Sequence, residues 1–181
     1  MMRASFGRKG ARAVAGLSKL GRPSAWIHAL RVLEFYADNN VNQKKLATHG
    51  TGFRLSPLAS LRDAHLLTVG KNVRVGERAC LWCASPGGAI DIGDDVIIAP
   101  GVMITTSNYG NARGALISSQ DRKIASVLIG NDVWLGYNSV ILPGVTVGDG
   151  CIVGANAVVV DDLEPGGIYG GIPARRIGSR E

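Results

Sequence analysis

Aliphatic residues return every six positions along most of the chain from residue 69 onward. The series is Val69, Val75, Leu81, Ile92, Ile98, Ile104, Ile129, Leu135, Ile141, Val147, Val153 and Val159. Only two steps differ from six, a step of 11 after Leu81 and a step of 25 after Ile104. A period of six fits neither the helical period of about 3.6 nor a plain alternating strand. It indicates short strands joined by corners, with one inward aliphatic side chain for each strand.

Three such strands form one triangular coil of 18 residues, so that residues 18 apart, plus any insertion, stack on one another. The first face is predicted to stack Val69, Ile92, Ile129 and Val147, the second Val75, Ile98, Leu135 and Val153, and the third Leu81, Ile104, Ile141 and Val159. Glycine often follows the inward residue and permits a tight corner. The predicted fold is an all-β solenoid, a parallel β-helix of hexapeptide repeats with one extended loop.

The two long steps are insertions at corners of this coil. The segment SPGGA adds five residues after Leu81, and 19 residues are added between Ile104 and Ile129. A solenoid does not need a long insertion for its own folding, and such loops usually carry function. We therefore expect the acceptor of any reaction to bind at the loop of residues 105–126.

The N-terminal segment differs from the rest in charge and period. Seven of the 20 basic residues and no acidic residue lie within the first 33 positions, which leaves 13 basic and 14 acidic residues in the body. The body is therefore near neutral, which argues against nucleic acid as a partner. Residues 24–39 follow Pro23 and place apolar side chains at helical spacing. The predicted division is a basic segment with a helix over residues 1–50 and a β-helix domain over residues 51–178.

Two roles remain open for the N-terminal helix. It can pack on the open first coil of the solenoid, or it can make peripheral contact with a membrane through the basic N-terminus. The Arg-rich, acid-free start also resembles a transit peptide. Because no apolar run reaches the length of about 18 to 20 residues that a membrane span needs, the expected location is cytoplasmic, with the inner face of a membrane as an alternative.

The three cysteines could form a disulfide, bind a metal or simply pack in the core. An odd number of cysteines without an export signal makes a disulfide framework improbable. Cys80 and Cys83 have the C-x-x-C spacing of metal and redox sites, but a structural zinc needs about four ligands and no second pair lies at a suitable spacing. We expect packing roles for all three cysteines.

The sequence IGNDVWLGYNSVILPGVTVGDGCIVGANAVVVDDLEPGGIYGGIPARRI, residues 129–177, resembles the closing segment of the hexapeptide-repeat acyltransferases. The resemblance extends over residues 68–178 and is strongest to the sugar O-acetyltransferases of polysaccharide and lipopolysaccharide assembly. It implies a left-handed β-helix, a homotrimer and acetyl-CoA as co-substrate. It also implies sites shared between subunits.

In that family the catalytic histidine lies in a V-x-[IL]-x-x-x-x-H arrangement after the strand that starts at Val102. In this chain the arrangement places Tyr109, preceded by Asn108, at the histidine position. These two residues are the predicted catalytic residues, with Arg113 as a substrate-binding neighbour that could support the tyrosine. A phenol is a poor base at neutral pH, so two roles are open for Tyr109: a phenolate stabilised by neighbours such as Arg113, or a donor that orients the acceptor while another group takes the proton. His49 or His65 could approach from an adjacent coil or subunit.

The resemblance also implies a track for acetyl-CoA over residues 134–176. Its predicted members are an outward tryptophan, small residues at corners and a basic pair, namely Trp134, Gly136, Gly154, Ala155, Arg175 and Arg176. The arginines are predicted to hold the phosphates of CoA, since guanidinium matches phosphate geometry. Each feature also has a structural interpretation: Trp134 as a trimer contact, the glycines as tight corners, and the arginines as a solvated pair.

Three functions follow from these observations. The first is acetyl transfer from acetyl-CoA to a hydroxyl of a saccharide, the second is N-acetylation of an amino sugar, and the third is a trimeric scaffold that lost its base. Carbonic anhydrases of the same β-helix fold hold zinc with three imidazoles on adjacent coils. The chain has no histidine within the repeats, and we expect no metal.

Overall fold

A computed structural model describes residues 22–180 of the chain. The chain divides after Ala37 into two compact units. Most of the predicted basic leader, residues Arg3, Arg8, Lys9, Arg12 and Lys19, lies outside the described residues.

The helix of the first unit, α1, spans Pro23–Tyr36 and confirms the predicted helix. Pro23 stands in the first turn, where its missing N–H group costs no hydrogen bond. The apolar side chains Trp26, Leu30 and Leu33 are exposed. Within the described residues, no helix is long and apolar enough to cross a membrane. Membrane contact through this segment stays a prediction.

Residues 38–46 form a short helical segment that packs on the first coil within the second unit. The segment comprises the π-helical turn Ala37–Asn42 without its first residue, and helix α2 at Gln43–Leu46. The buried side-chain amide of Asn40 donates hydrogen bonds to the carbonyls of Ser56, at 3.0 Å, and Ala59, at 2.9 Å. Because these carbonyls belong to the first coil, the segment supplies a donor to the carbonyl of Ala59 and a second donor to that of Ser56, which also accepts the amide of Ala59.

The strands are short and follow one another at the predicted spacing. They are β1 Thr48–His49, β2 Arg54–Leu55, β3 Ser60–Arg62, β4 Leu67–Val69, β5 Arg74–Val75, β6 Cys80–Trp82, β7 Ile90–Ile92, β8 Ile97–Ile98, β9 Met103–Thr105, β10 Ser107–Asn108, β11 Lys123–Ile124, β12 Val127–Ile129, β13 Trp134–Leu135, β14 Val140–Ile141, β15 Thr146–Val147, β16 Ile152–Val153, β17 Val158–Val159, β18 Gly167–Gly170 and β19 Arg175–Ser179. Single 3-10 turns lie at Ala64–Leu66 and Ile117–Ser119.

These strands form the three faces of a parallel solenoid. Sheet A has the order β1-β4-β7-β12-β15, and sheet C has the order β3-β6-β9-β14-β17. Sheet B has the order β2-β5-β8-β13-β16-β18-β19, in which β19 returns antiparallel to β18. Pairing starts at β1, which lies beside β4, three residues before the boundary at residue 51 that the sequence predicted.

The register confirms the predicted stacks on all three faces. On sheet A, Ile92 lies between Val69 and Ile129 in the ladder. The corresponding residues are Ile98 on sheet B and Ile104 on sheet C, each paired with the predicted neighbours. The inward side chains of all three stacks are buried and form one continuous core. The aliphatic period therefore fixes both the core and the alignment of the coils.

Candidate active site

One corner of the solenoid, between sheets C and A, is enlarged in three successive coils. The step from the inward residue of sheet C to that of sheet A is eight residues from Leu61, 11 from Leu81 and 25 from Ile104. The same step is six residues from Ile141 to Val147 in the next coil. The core does not need these additions, and long loops on a rigid scaffold commonly carry functional residues. The enlarged corner is therefore the candidate location of a functional site.

The longest addition, which we call the excursion (residues 106–125), is a hairpin with a closed base. Strands β10 and β11 pair antiparallel within it. At its base the amide of Ala125 donates to the carbonyl of Thr106 at 2.9 Å. The buried hydroxyl of Thr106 contacts the carbonyl of Gly88 at 3.2 Å, which ties the excursion to the shorter SPGGA loop of the coil below. The rigid coils therefore hold the start of the hairpin in place.

A cavity of about 470 Å³ lies between the excursion and the outer face of sheet C. Its lining residues come from strands β3, β6, β9 and β14, from the positions directly after β6 and β14, and from the excursion: Arg62, Trp82, Cys83, Met103, Thr105, Ser107, Asn108, Tyr109, Arg122, Val140 and Leu142. Arg62, Trp82 and Thr105 are register partners on three adjacent coils. The predicted catalytic pair, Asn108 and Tyr109, therefore lies beside an ordered row of outward side chains.

The floor of the cavity is built around Trp82. Its indole N–H donates to the hydroxyl of Ser60 at 3.1 Å, and the guanidinium of Arg62 lies 4.3 Å from the ring centroid. A hydrogen bond at the ring edge and a cation on the ring face fix the indole orientation. The cavity thus has a rigid aromatic surface.

The excursion supplies the opposite side of the cavity. Tyr109 is 64% exposed, so its phenol is accessible to a ligand. The guanidinium of Arg122 donates to the hydroxyl of Ser107. Arg113, the predicted substrate-binding neighbour of Tyr109, does not line the cavity, and Arg122 occupies that place among the lining residues.

The histidines lie outside the cavity lining. His65 is at the enlarged corner, where its Nε2 lies 3.4 Å from the hydroxyl of Ser85. His49 stands on β1, with Nδ1 3.3 Å from the carbonyl of Gly50. His28 belongs to α1. Tyr109 occupies the family's histidine position and lines the cavity, whereas none of the three histidines is among the lining residues.

The predicted acetyl-CoA residues lie on a different face. Trp134 is on sheet B, 51% exposed, and its register partners are Ile97 and Ile152. It lines a groove of about 210 Å³ beside the ion pair of Arg180 and Asp132. The structure therefore does not place Trp134 and Tyr109 in one cavity of the same chain.

The small residues of the predicted track are involved in coil stacking. A Cβ atom at Gly136 would lie 2.6 Å from the carbonyl oxygen of Val153, so the next coil requires glycine there. The amide of Gly136 donates to Val153 at 2.8 Å, and that of Gly154 donates to Tyr169 at 2.7 Å. These two amides are therefore not free to bind pantetheine, whereas Ala155 is exposed.

The basic pair at the end of the track has two different environments. Arg175 forms an ion pair with Asp161 at 3.2 Å, and both side chains are largely exposed. Such a pair contributes little and exchanges readily. Arg176 lies on β19 and donates to the hydroxyl of Ser179 at 2.9 Å. Arg175 also donates to the carbonyl of Ala174 at 2.9 Å, and Arg176 to the carbonyl of Gly178 at 3.3 Å, so each guanidinium keeps further N–H donors for an anion.

The cysteines are sites of packing in this structure. Burial raises the pKa of Cys83 to about 12 and also raises the pKa of Cys80. A protonated thiol is a poor nucleophile and a poor metal ligand. Among residues 22–180 no group of three or more histidine, cysteine or acidic side chains is arranged to hold a metal ion.

Sequence reasoning missed Arg62, Trp82 and Arg122. The signal for the first two was present, since Arg62 follows Leu61 and Trp82 follows Leu81 at equivalent outward positions. The step of eight after Leu61 marks the same corner as the two longer insertions, and it precedes the regular series that starts at Val69.

Comparisons with known proteins agree with this fold. Residues 126–161 match the model of the bacterial transferase hexapeptide (six repeats), and residues 67–106 match that of the hexapeptide repeat of succinyl-transferase. WbbJ of Escherichia coli K12, assigned to lipopolysaccharide biosynthesis as an O-acetyl transferase, is 30% identical over 148 residues, with 77% of this chain and 72% of WbbJ covered.

Other relatives are matched over a smaller part of their length. Galactoside O-acetyltransferase of Escherichia coli K12 is 36% identical over 88 residues, and the match covers 49% of this chain but only 43% of that enzyme. A chloramphenicol acetyltransferase of Agrobacterium fabrum is 53% identical over 53 residues, which are 29% of this chain and 25% of the relative. The chain thus spans less than half of these two relatives.

Solved structures share the architecture. A maltose O-acetyltransferase from Clostridium difficile 630 superposes with a TM-score of 0.65 at 28% identity, over 77% of this chain and 73% of that one. The D94A mutant of AntD, an N-acyltransferase from Bacillus cereus in complex with dTDP and coenzyme A, gives a TM-score of 0.69 at 23% identity, over 75% and 74% of the two chains. The AntD match, at its lower identity, is evidence for the fold alone.

Proposed function

The chain belongs to the hexapeptide-repeat acyltransferases, and we propose that it transfers an acetyl group from acetyl-CoA to a hydroxyl of a saccharide. The observation that carries the proposal is the cavity between the excursion and sheet C. Its volume of about 470 Å³ lies in the range of roughly 300 to 1,000 Å³ typical of small-molecule sites.

The lining of this cavity suits a sugar. Trp82 and Tyr109 contribute aromatic rings to the lining, and the ring of Tyr109, which is exposed, can contact the apolar face of a pyranose while its hydroxyl binds a polar group. Asn108 and Arg122 supply donors, and Asn108 also supplies an acceptor, for hydroxyl groups. An apolar surface with a few polar groups is the usual composition of a ligand site.

The transfer itself requires little of the protein beyond positioning. The acceptor oxygen attacks the thioester carbonyl carbon, the bond from that carbon to sulfur breaks, and the hydroxyl proton leaves while the CoA thiolate gains a proton. We propose that Tyr109 and Asn108 orient the acceptor hydroxyl. A general base typically adds about 10²- to 10⁴-fold, so a site that aligns both substrates without an imidazole still accelerates the reaction.

Acetyl-CoA is proposed to bind along sheet B, near Trp134 and the basic pair. The exposed Arg175 can leave its weak ion pair with Asp161 to contact a phosphate. Trp134 faces outward and can support the pantetheine arm. The buried hydrogen bonds of Gly136 and Gly154 limit their contribution to close approach of the ligand to the backbone.

The separation of the two substrate regions supports a homotrimer. Tyr109 lies beside sheet C, whereas Trp134 lies on sheet B of the same chain. Packing sheet B of one subunit against the excursion of its neighbour would bring donor and acceptor regions together. We propose that each site is formed in this way, by two subunits.

The test combines purified protein, acetyl-CoA and a panel of sugars and nucleotide-sugars, with thiol release as the signal. We expect acceptor-dependent release and a product heavier by one acetyl group. Mild alkali should remove that group, because an ester is labile whereas the amide of an N-acetylated amino sugar is stable. Absence of both acetyl-CoA binding and thiol release with every acceptor would favour the scaffold function.

A further inference from the structure

The cavity beside sheet C has an uncompensated positive charge. Two arginines, Arg62 and Arg122, are among its lining residues, and none of the lining residues is acidic. In the part of the chain that the structure describes, the ion pairs join Arg175 to Asp161 and Arg180 to Asp132, so neither cavity arginine has an ion-pair partner. The body of the protein is near neutral. The positive charge at the cavity therefore reflects the local placement of the two arginines, and not a general excess of basic residues.

Arg62 is held in place while its hydrogen-bond donors stay available. Its guanidinium stacks on the face of Trp82 at 4.3 Å, and a stacked guanidinium keeps its N–H groups in the plane of the cation, away from the ring. The neighbouring carboxylate of Asp63 instead accepts the amide of Ser85 at 3.3 Å and does not line the cavity. The stack therefore presents a fixed set of donors.

Arg122 faces the cavity from the excursion. One of its terminal nitrogens donates to the hydroxyl of Ser107. A guanidinium has about five N–H donors, so most of them remain available after this bond. Ser107 is on β10, whose partner β11 begins at Lys123, directly after Arg122. The short hairpin thereby restrains the second arginine.

We propose that the acceptor is an anionic saccharide, whose carboxylate or phosphate group binds between Arg62 and Arg122. The inference rests on the proposed function of this cavity as the acceptor site. Two guanidinium groups favour an oxyanion through charge-assisted, bidentate hydrogen bonds. A neutral sugar would leave both cations without a counter-charge, so the preference is for the acid or the phosphate ester over the parent sugar.

The activity test uses matched acceptors with acetyl-CoA held constant: methyl glucoside, methyl glucuronide and glucose 1-phosphate. We expect kcat/KM to be about tenfold or more higher for one or both charged acceptors than for the neutral one, with the advantage reduced at high salt. The uronate and the phosphate ester distinguish the two sources of negative charge.

Variants assign this preference to the arginines. Arg62→Gln and Arg122→Gln should each lower the ratio of charged to neutral kcat/KM about tenfold. Arg62→Lys and Arg122→Lys keep the charge and should retain part of the ratio. Arg31→Gln, an exposed arginine on helix α1, is the matched control and should leave the ratio unchanged.

A binding measurement separates this inference from the proposed reaction. With Trp26→Phe and Trp134→Phe, Trp82 is the remaining tryptophan, and its fluorescence reports ligands in the cavity. Tighter binding of the charged sugars, lost in Arg62→Gln, supports the inference even if no acetyl transfer occurs, in which case the proposed reaction fails alone. Equal binding or equal turnover of charged and neutral sugars, or no binding of either, overturns the inference.

Discussion

Ser139 is a polar residue at an apolar position of the core. Its hydroxyl is buried and has no hydrogen-bond partner among the described residues. At the equivalent positions of other coils on sheet C stand Ala79 and Ala157, both fully buried. An unpartnered buried hydroxyl keeps its desolvation cost without the compensating bond.

Replacement of this hydroxyl should therefore stabilise the protein. We expect Ser139→Ala to raise the free energy of unfolding by about 1 kcal/mol, measured by denaturant titration. Ala157→Ser is the matched reverse change and should lower the free energy of unfolding by a similar amount. A loss of stability in Ser139→Ala would mean that the hydroxyl has a partner in solution.

Tyr109 is the residue on which the chemistry of the acceptor side depends. Tyr109→Phe keeps the ring and removes the hydroxyl that we propose orients the acceptor, so kcat should fall about tenfold, while the Kd for acetyl-CoA stays within roughly a factor of two. Steady-state rates and calorimetry measure the two quantities. Tyr36→Phe, at an exposed tyrosine of α1, serves as the control.

Two outcomes would redirect the assignment of Tyr109. Unchanged turnover in Tyr109→Phe would make it a packing or trimer residue, and His49→Ala and His65→Ala would be assayed next. A faster Tyr109→His variant would instead indicate that the excursion keeps the geometry of relatives with a histidine at this position.

Corners are the elements that set the distance between coils. At Gly136 a Cβ atom would lie 2.6 Å from the backbone oxygen of Val153, whereas at Gly154 the closest contact, with the oxygen of Tyr169, would be 3.2 Å. Backbone atoms of a stacked coil cannot move aside separately, so the first contact is far more costly than the second.

The two glycines should thus respond differently to the same change. Gly136→Ala is expected to lower the free energy of unfolding by about 2 kcal/mol or more, and Gly154→Ala by less than about 1 kcal/mol. Thermal unfolding followed by circular dichroism compares them. If Gly154→Ala folds normally but binds acetyl-CoA weakly, the glycine has the ligand role that the family resemblance predicted.

The strands and their register could be predicted because the repeat is local and the core is linear. Each inward residue meets the residue one coil away, as Ile98 meets Leu135, so the period alone determines the neighbours. The resemblance to hexapeptide-repeat acyltransferases could be recognised from the sequence because the motifs of that family follow the same repeat. The comparisons confirmed it.

The cavity was harder to predict because its residues come from separate coils. Arg62, Trp82 and Arg122 meet only when three enlarged corners are superposed. The hairpin within the excursion has no period that would place Arg122 rather than Arg113 beside Tyr109. The separation of Trp134 from Tyr109 was available in the sequence, since the phase of the repeat assigns them to different faces.

At the scale of the whole molecule, the proposed trimer gives a measurable mass. Light scattering should give three times the chain mass of 19.0 kDa, with a circular dichroism spectrum dominated by β structure. Trp134→Glu should weaken the trimer if the outward face of sheet B is an interface, and Trp134→Phe should preserve it. A stable monomer of the parent protein would contradict the shared site.

Assembly and donor binding can be tested separately through the basic pair. The double variant Arg175→Ala, Arg176→Ala is expected to weaken CoA binding about tenfold and dephospho-CoA binding much less, because a guanidinium that grips the 3′-phosphate has nothing to bind in the second ligand. Calorimetry with both nucleotides measures this difference. Equal losses for the two ligands would place the arginines away from the 3′-phosphate.

The closed base of the excursion has a consequence for how new specificities arise in such a molecule. The hydrogen bond from Ala125 to Thr106 brings the chain back to its point of departure, so residues 107–124 can change in length without shifting any inward residue of the stack. Doubling a flexible loop costs only about 0.6 kcal/mol in closure entropy. Insertion, deletion or recombination between these two residues can therefore replace the acceptor-facing hairpin as a unit. The coils beneath it keep their sequence, because selection for stability acts on the coils separately from selection for specificity in the hairpin.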